Sequence, residues 1–224
     1  MMISPEIYHA MELKGKSQQE VLKAIRSLKR EISSLKKELE DRSQEPKVIM
    51  MPSPLTRIKC CRDYLEMAKR AYAEAGGIYE HTKAEQKDQA FNESLKYMKR
   101  FIFYYGGFFG GYEKRTYTIS NEKVLFDLDH SLYLQPSNLP VYESFTREEF
   151  IEGITVLHIG EWKESYVDPL VLDGTQWSID IEYEDDRKPV NIDGSNAFPY
   201  NFDDLLEFLE INDADDEEGD DDEV

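Results

Sequence analysis

The chain has 224 residues, of which 40% are hydrophobic, and its 14 Tyr and 11 Phe give it the means to build a packed core, which excludes a chain that is disordered throughout. Its formal charge of −19 is unevenly placed: residues 1–115 carry 22 Lys+Arg against 16 Asp+Glu, and residues 116–224 carry 5 against 30. No apolar run approaches the ~18–20 residues needed to span a bilayer. Met1 to Glu6 also lack the basic and apolar regions of a secretory leader, so the expectation is a cytoplasmic protein.

The first clear element is a helix from about Gln18 to Asp41. Ser17-Gln18-Gln19-Glu20 opens it as a capping box, in which the Ser hydroxyl and the Glu carboxylate satisfy amides of the first turn. Within it Val21, Ile25, Leu28, Ile32, Leu35 and Leu39 alternate at spacings of four and three. Ile25, Ile32 and Leu39 fall at heptad position a; Val21, Leu28 and Leu35 fall at d. Such a stripe favours a parallel two-stranded coil, in which Glu31 of one chain faces Lys36 of the other. Exposed pairs of that kind contribute only ~0.2–1 kcal/mol each, so they select orientation. The alternative is that the stripe packs on the following helix as an antiparallel hairpin, since three heptads are marginal for an isolated coil. Lys23, Arg30 and Lys37, with Arg26 beside them, form the outer stripe, read as a solvated face and not as a direct nucleic-acid contact.

A second helix starts at Ser53-Pro54 and ends at Gly76-Gly77, with Leu55, Ile58, Cys61 (or Arg62), Leu65, Ala68 and Tyr72 at helical spacing. The adjacent thiols Cys60 and Cys61 match neither a disulfide framework nor a zinc knuckle. A third helix opens on the capping box Thr82-Lys83-Ala84-Glu85 and ends near Leu95.

Beyond Leu95 the period shortens towards two. Lys99 to Tyr105, Tyr112 to Ile119 and Val124 to Asp129 read as strands. The glycine-rich segment Gly106 to Gly111 lacks the Lys-Ser/Thr of a phosphate loop and opens onto a strand, so it reads as a bend that packs or presents Phe108 and Phe109. A proline-containing loop, Gln135 to Tyr142, leads to a helix capped by Thr146-Arg147-Glu148-Glu149. Trp177 to Tyr183 and Pro189 to Ile192 form a hairpin, and Asn201 caps a last helix through about Ile211. Residues 213–224 contain nine carboxylates and are expected to be disordered.

The expected organisation is α+β: a coiled-coil-like helix over 1–45, a helical hairpin region over 46–97, an acidic domain over 98–211 with a roughly five-stranded, mostly antiparallel sheet, and a tail over 212–224. Catalytic, metal and cofactor motifs are absent from this reading. His9, His81, His130 and His158 have no His or Cys partner at ligand spacing. Asp127 and Asp129 share a strand face with room for a hard cation, but a solvated face is the simpler reading. No nucleophile sits in an elbow motif.

One stretch has a family look. Trp162, the run from Asp173 through Trp177 to Tyr183, and Gly194-Ser195-Asn196-Ala197-Phe198-Pro199-Tyr200-Asn201-Phe202 resemble a module recurring in proteins of gut bacteria that have no assigned activity. The resemblance covers about residues 160–205. It implies a single folded domain and carries no function with it. Asp173, Trp177 and Asn196 are the contact candidates within it, against a purely architectural role.

The functional expectation is a non-enzymatic acidic module that docks a basic protein, including one that itself binds nucleic acid. The alternatives are a dimeric scaffold whose charge serves solubility, and a carboxylate-based hydrolase or metal enzyme. The tail alone is a poor duplex mimic. Twelve extended residues span about 40 Å, which gives about one charge per 4.5 Å, where duplex DNA carries one per ~1.7 Å.

Overall fold

The structure is a computed structural model that describes residues 3–41, 51–107, 110–131, 145–171 and 173–211. The chain divides into two compact units, Met1–Gln86 and Lys87–Val224. The division falls inside the third long helix, earlier than the change of period at Leu95.

The first unit is helical. A short helix α1 (Pro5–Tyr8), followed by a wide turn over His9–Leu13, precedes α2 (Gln18–Glu40) and α3 (Pro54–Glu74). The Ser17–Glu20 box forms as its sequence requires, with both the Glu20 amide and the Ser17 amide satisfied. The two long helices run antiparallel. Gln18 donates to the Ala75 carbonyl at one end, and Arg57 meets Glu31 at 2.7 Å towards the other. Val21, Ile25, Leu28, Ile32 and Leu35 are buried, and so are Ile58, Cys61, Tyr64, Leu65, Ala68 and Ala71 of α3. Ala68 and Ala71 keep the facing surface thin, so the larger α2 side chains reach between the turns. Glycine ends α3: Gly76 takes φ +81°, and Gly77 donates back to the Tyr72 carbonyl. Tyr64 fastens the N-terminal segment, stacking on Tyr8 at 4.3 Å and donating to the Ile3 carbonyl at 2.6 Å.

Helix α4 (Lys83–Ser94) leads into the second unit, whose sheet comprises β1 (Met98–Gly107), β2 (Gly111–Ile119), β3 (Val124–His130), β4 (Ser165–Val167), β5 (Thr175–Tyr183) and β6 (Val190–Ser195). The spatial order is β3-β2-β1-β5-β6-β4. The sheet therefore has six strands, one more than the roughly five expected. The added strand is β4, three residues long and parallel to β6, while the other four ladders are antiparallel. A run of Ser-Tyr-Val has no measurable periodicity, and only the neighbouring β6 makes it a strand.

Alternation decides which face is covered. Phe101 and Phe103 of β1, Tyr117 and Ile119 of β2, Trp177, Ile179 and Ile181 of β5 and Ile192 of β6 are all buried on one side. Helices α5 (Arg147–Val156) and α6 (Phe202–Phe208) pack there: Phe150 lies 5.7 Å from Phe101, and Phe202 lies 4.8 Å from Trp177. Gly153 is required at this junction, because a Cβ there would meet the Phe208 ring at 2.1 Å. Arg115 is also buried on this side. Its guanidinium is held by Glu113 at 2.6 Å and donates to the Leu209 carbonyl at 2.5 Å, satisfying the exposed carbonyl end of α6.

Asn201 differs from expectation. It precedes α6 but makes no capping bond. Instead its buried amide accepts from the Trp162 indole at 3.0 Å and donates to the Leu157 carbonyl at 2.7 Å.

The α2–α3 seam makes a prediction. Ile25→Ala removes a side chain that is 1% exposed and should lower the unfolding free energy by about 2–4 kcal/mol in urea titrations. Lys23→Ala, on the outer side of the same helix, should change it by less than about 0.5 kcal/mol.

Candidate functional site

The face of the sheet opposite the core presents side chains that are exposed or half-buried among the described residues. Its residues alternate with those of the core, and the strand registers place them in rows. One row runs Asp127, Thr116, Ile102, Asp180, Asn191. The next runs Asp129, Lys114, Tyr104, Ser178, Asp193, Ser165. Leu125, Thr118, Arg100 and Glu182 flank them at one end, and Tyr112, Gly106, Gln176 and Ser195 at the other. None of these side chains is buried.

The face has an apolar centre and acidic flanks. Tyr104 and Tyr112 stack with ring centroids 5.1 Å apart, beside Ile102. Partial burial and the neighbouring Tyr112 push the Tyr104 hydroxyl pKa up. On one side Asp127 and Asp129 project from edge strand β3. On the other stand Asp180 of β5, which accepts from Asn191, and Asp193 of β6, which accepts from Ser165 at 2.9 Å. Glu182 pairs with Arg100 at 2.6 Å. Five carboxylates thus share the face with two cations, Arg100 and Lys114. Adjacent strands are spaced ~4.8 Å apart. The carboxylate of β3 and that of β5 in the first row are therefore about 14 Å apart, and those of β3 and β6 in the second row about 19 Å.

The contact candidates read from sequence fare differently. Trp177 is 2% exposed, and its indole donates to the Ala197 carbonyl at 3.0 Å, so it belongs to the core and not to a surface. Asn196 takes φ +56° and donates to the Val171 carbonyl, shaping the turn after β6. Asp173 is exposed. Phe108 and Phe109 lie outside the described residues, as does the tail beyond Ile211. Of the zipper residues, Leu39 is half-buried, Glu31 is engaged by Arg57, and the other five apolar positions lie against α3. A parallel coil through that stripe requires α3 to leave it.

In the first unit the outer stripe of α2 borders a groove of about 590 Å³, lined by Gln19, Lys23, Arg26, Lys29, Arg30 and Thr82. Lys29 is already committed. Its ammonium donates to Glu85 at 2.8 Å and to Tyr79 at 2.9 Å, while Lys69 of α3 approaches Glu85 at 3.3 Å. Glu85 also accepts from the Thr82 amide and hydroxyl, closing the capping box of α4. Burial alone would raise the Glu85 pKa. The hydrogen bonds from Lys29, the Thr82 amide, Tyr79 and the Thr82 hydroxyl outweigh it and hold the carboxyl far below the usual range. The cluster fastens α2 and α3 to the start of α4. At Cys61 burial prevails instead and pushes the thiol up to about 11, which disfavours the thiolate at neutral pH.

One group was not legible in the sequence. Asp88, His158 and Glu161 converge, with His158 and Asp88 seventy residues apart in the chain. Among the described residues no helix is long and apolar enough to cross a membrane. The chain matches no protein-family model, and no curated protein or solved structure is detectably similar to it.

The Glu85 cluster predicts an acid response. Its folded pKa lies below the ordinary value of 4.5, so its stabilisation is complete above pH 4.5 and declines as pH falls below it. Glu85→Gln should lower the stability of the helical unit at pH 7 and flatten its loss between about pH 5 and pH 3, followed by circular dichroism in urea.

Proposed function

We propose that this protein is a binding module whose open sheet face docks a basic amphipathic helix of a partner protein. The observation that supports this reading is the pattern on that face: a tyrosine-and-isoleucine centre between two acidic margins about 14–19 Å apart. A helix is ~10–12 Å across with its side chains. Lying along β1, it would rest an apolar stripe on Ile102, Tyr104 and Tyr112 while Lys or Arg on its flanks reach Asp127 and Asp129 on one side and Asp180 and Asp193 on the other. Charge would set partner choice and association rate, and the aromatic centre would supply contact area.

The second unit carries 11 Lys+Arg against 33 Asp+Glu over residues 87–224, so a basic partner would also be steered towards it at long range. The first unit is near balance, with 16 against 13 over residues 1–86. A scaffold whose charge serves solubility alone is the competing reading, and it predicts no preference for this face.

The test is a Lys/Arg-rich amphipathic peptide titrated against the full chain by fluorescence anisotropy. Binding should weaken steeply between low and moderate salt. Replacing Asp127, Asp129, Asp180 and Asp193 together by Asn should weaken it about fourfold or more, from ~0.2–1 kcal/mol per pair. Deleting residues 213–224 should change it by less than about threefold. Loss of binding with the tail, and none with the four Asn substitutions, would overturn the proposal.

A further inference from the structure

We infer that Asp88, His158 and Glu161 form a binding site for a divalent first-row transition-metal ion. The three residues come from two places in the fold. Asp88 projects from α4. His158 and Glu161 bracket the single 3₁₀ turn Ile159–Glu161 that follows α5. One donor atom from each residue lies within 4.8 Å of the others, and His158 Nδ1 stands 3.3 Å from Asp88 Oδ2. Ligands bound at ~2.0–2.2 Å in a tetrahedral site are about 3.3–3.6 Å apart. The Asp–His pair, joined by a hydrogen bond at that distance, has that separation and would exchange the shared proton for the ion, and the Glu161 side chain has the rotatable bonds to complete the set.

Two further observations bear on the site, the first of them directly on a ligand. The first is Asp88 Oδ1, which is buried and has no hydrogen-bond partner. A carboxylate oxygen removed from water without a donor is costly, and a cation held by both oxygens of the Asp88 carboxylate would compensate it. The neighbouring ammonium of Lys87 donates elsewhere, to the Trp162 carbonyl at 2.9 Å.

The second is how firmly the segment is built. His158 has left-handed backbone, φ +51°, a conformation a non-glycine residue adopts at some cost. Asn201, 4% exposed, clamps the residue on either side, bonding the Leu157 carbonyl and the Trp162 indole. Gly160 lets the turn lie against α4: a Cβ there would come 2.7 Å from Asp88 Oδ1 and 2.8 Å from Phe91 Cβ. The Tyr200 hydroxyl stands 3.5 Å from Glu161 Oε2. Outer groups that fix the orientation of ligands in this way are what a metal site needs.

One imidazole with two carboxylates suits Zn²⁺, Mn²⁺ or Fe²⁺ and disfavours the all-oxygen preference of Ca²⁺ and Mg²⁺. The side chains of Asp88 and His158 are 14% and 30% exposed, so the site is open enough for water to complete the coordination. Sequence spacing conceals it because only His158 and Glu161 are neighbours in the chain.

The test uses Zn²⁺ as the probe, titrated calorimetrically into the full chain in excess Mg²⁺, with Co²⁺ absorption as a second readout of a nitrogen-ligated ion. One saturable site per chain is expected. His158→Gln and Glu161→Gln should each weaken it about 100-fold or more and remove the Co²⁺ signal, while metal-free melting temperature stays close to that of the parent chain. Both positions are partly exposed, so the fold should tolerate them. Absence of a saturable Zn²⁺ site, or one retained in both variants, would overturn the assignment and place any binding on the thiols or the other carboxylates.

Discussion

Strands β1 and β5 lie side by side at the centre of the sheet, and along both of them large apolar residues occupy every second position. Phe101 and Phe103 face the same way as Trp177, Ile179 and Ile181 because the register pairs Phe101 with Ile181 and Phe103 with Ile179. A slip of one residue would turn all of them outward. This pairing confines α5 and α6 to one side, where Phe150 and Phe202 close on it. It also leaves the opposite side as a surface whose composition is free to serve another purpose.

The sequence places a defined pattern on that side. Polar residues suffice to keep an open face wet, yet here the tyrosines and Ile102 line the middle while the carboxylates stand to either side. Like charges on neighbouring strands cost energy. Local partners offset part of that cost: Asn191 donates to Asp180, Ser165 to Asp193 and Arg100 to Glu182. The bond from Ser165 gives the short strand β4 a role, since it brings a hydroxyl to the last carboxylate of the row. The binding reading proposed for this face rests on that arrangement and not on net charge, much of which lies elsewhere in the chain.

Local signals were well written in the sequence. Capping boxes at Ser17, Thr82 and Thr146, the proline after Ser53 and the glycines after Ala75 gave helix starts and stops within a residue or two, because caps act over a single turn. Alternation gave five of the six strands. Partner choice was harder to read. The heptad stripe of α2 serves a coil or a hairpin equally well on paper, since helix α3 presents its own apolar stripe to either. The small side chains Ala68 and Ala71, which let α2 approach, carry no periodic signal of their own. Trp177 was ambiguous for the opposite reason: a large amphipathic ring just after a turn suits a surface as well as a core until Ala197 is seen to take its N–H. The Asp88–His158–Glu161 group depended wholly on the path of the chain after α5.

The central claim is that the open sheet face, and not acidity in general, recognises a partner. It is tested most directly by nitrogen–proton correlation spectra of the full chain titrated with a basic amphipathic helical peptide at low salt. The account predicts saturable shifts centred on Ile102, Tyr104, Tyr112, Lys114, Ser178 and Asp180, with the amides of Phe101, Ile179 and Ile181 following through the same strands. Shifts confined to residues 213–224, or spread without saturation over every carboxylate, would contradict it.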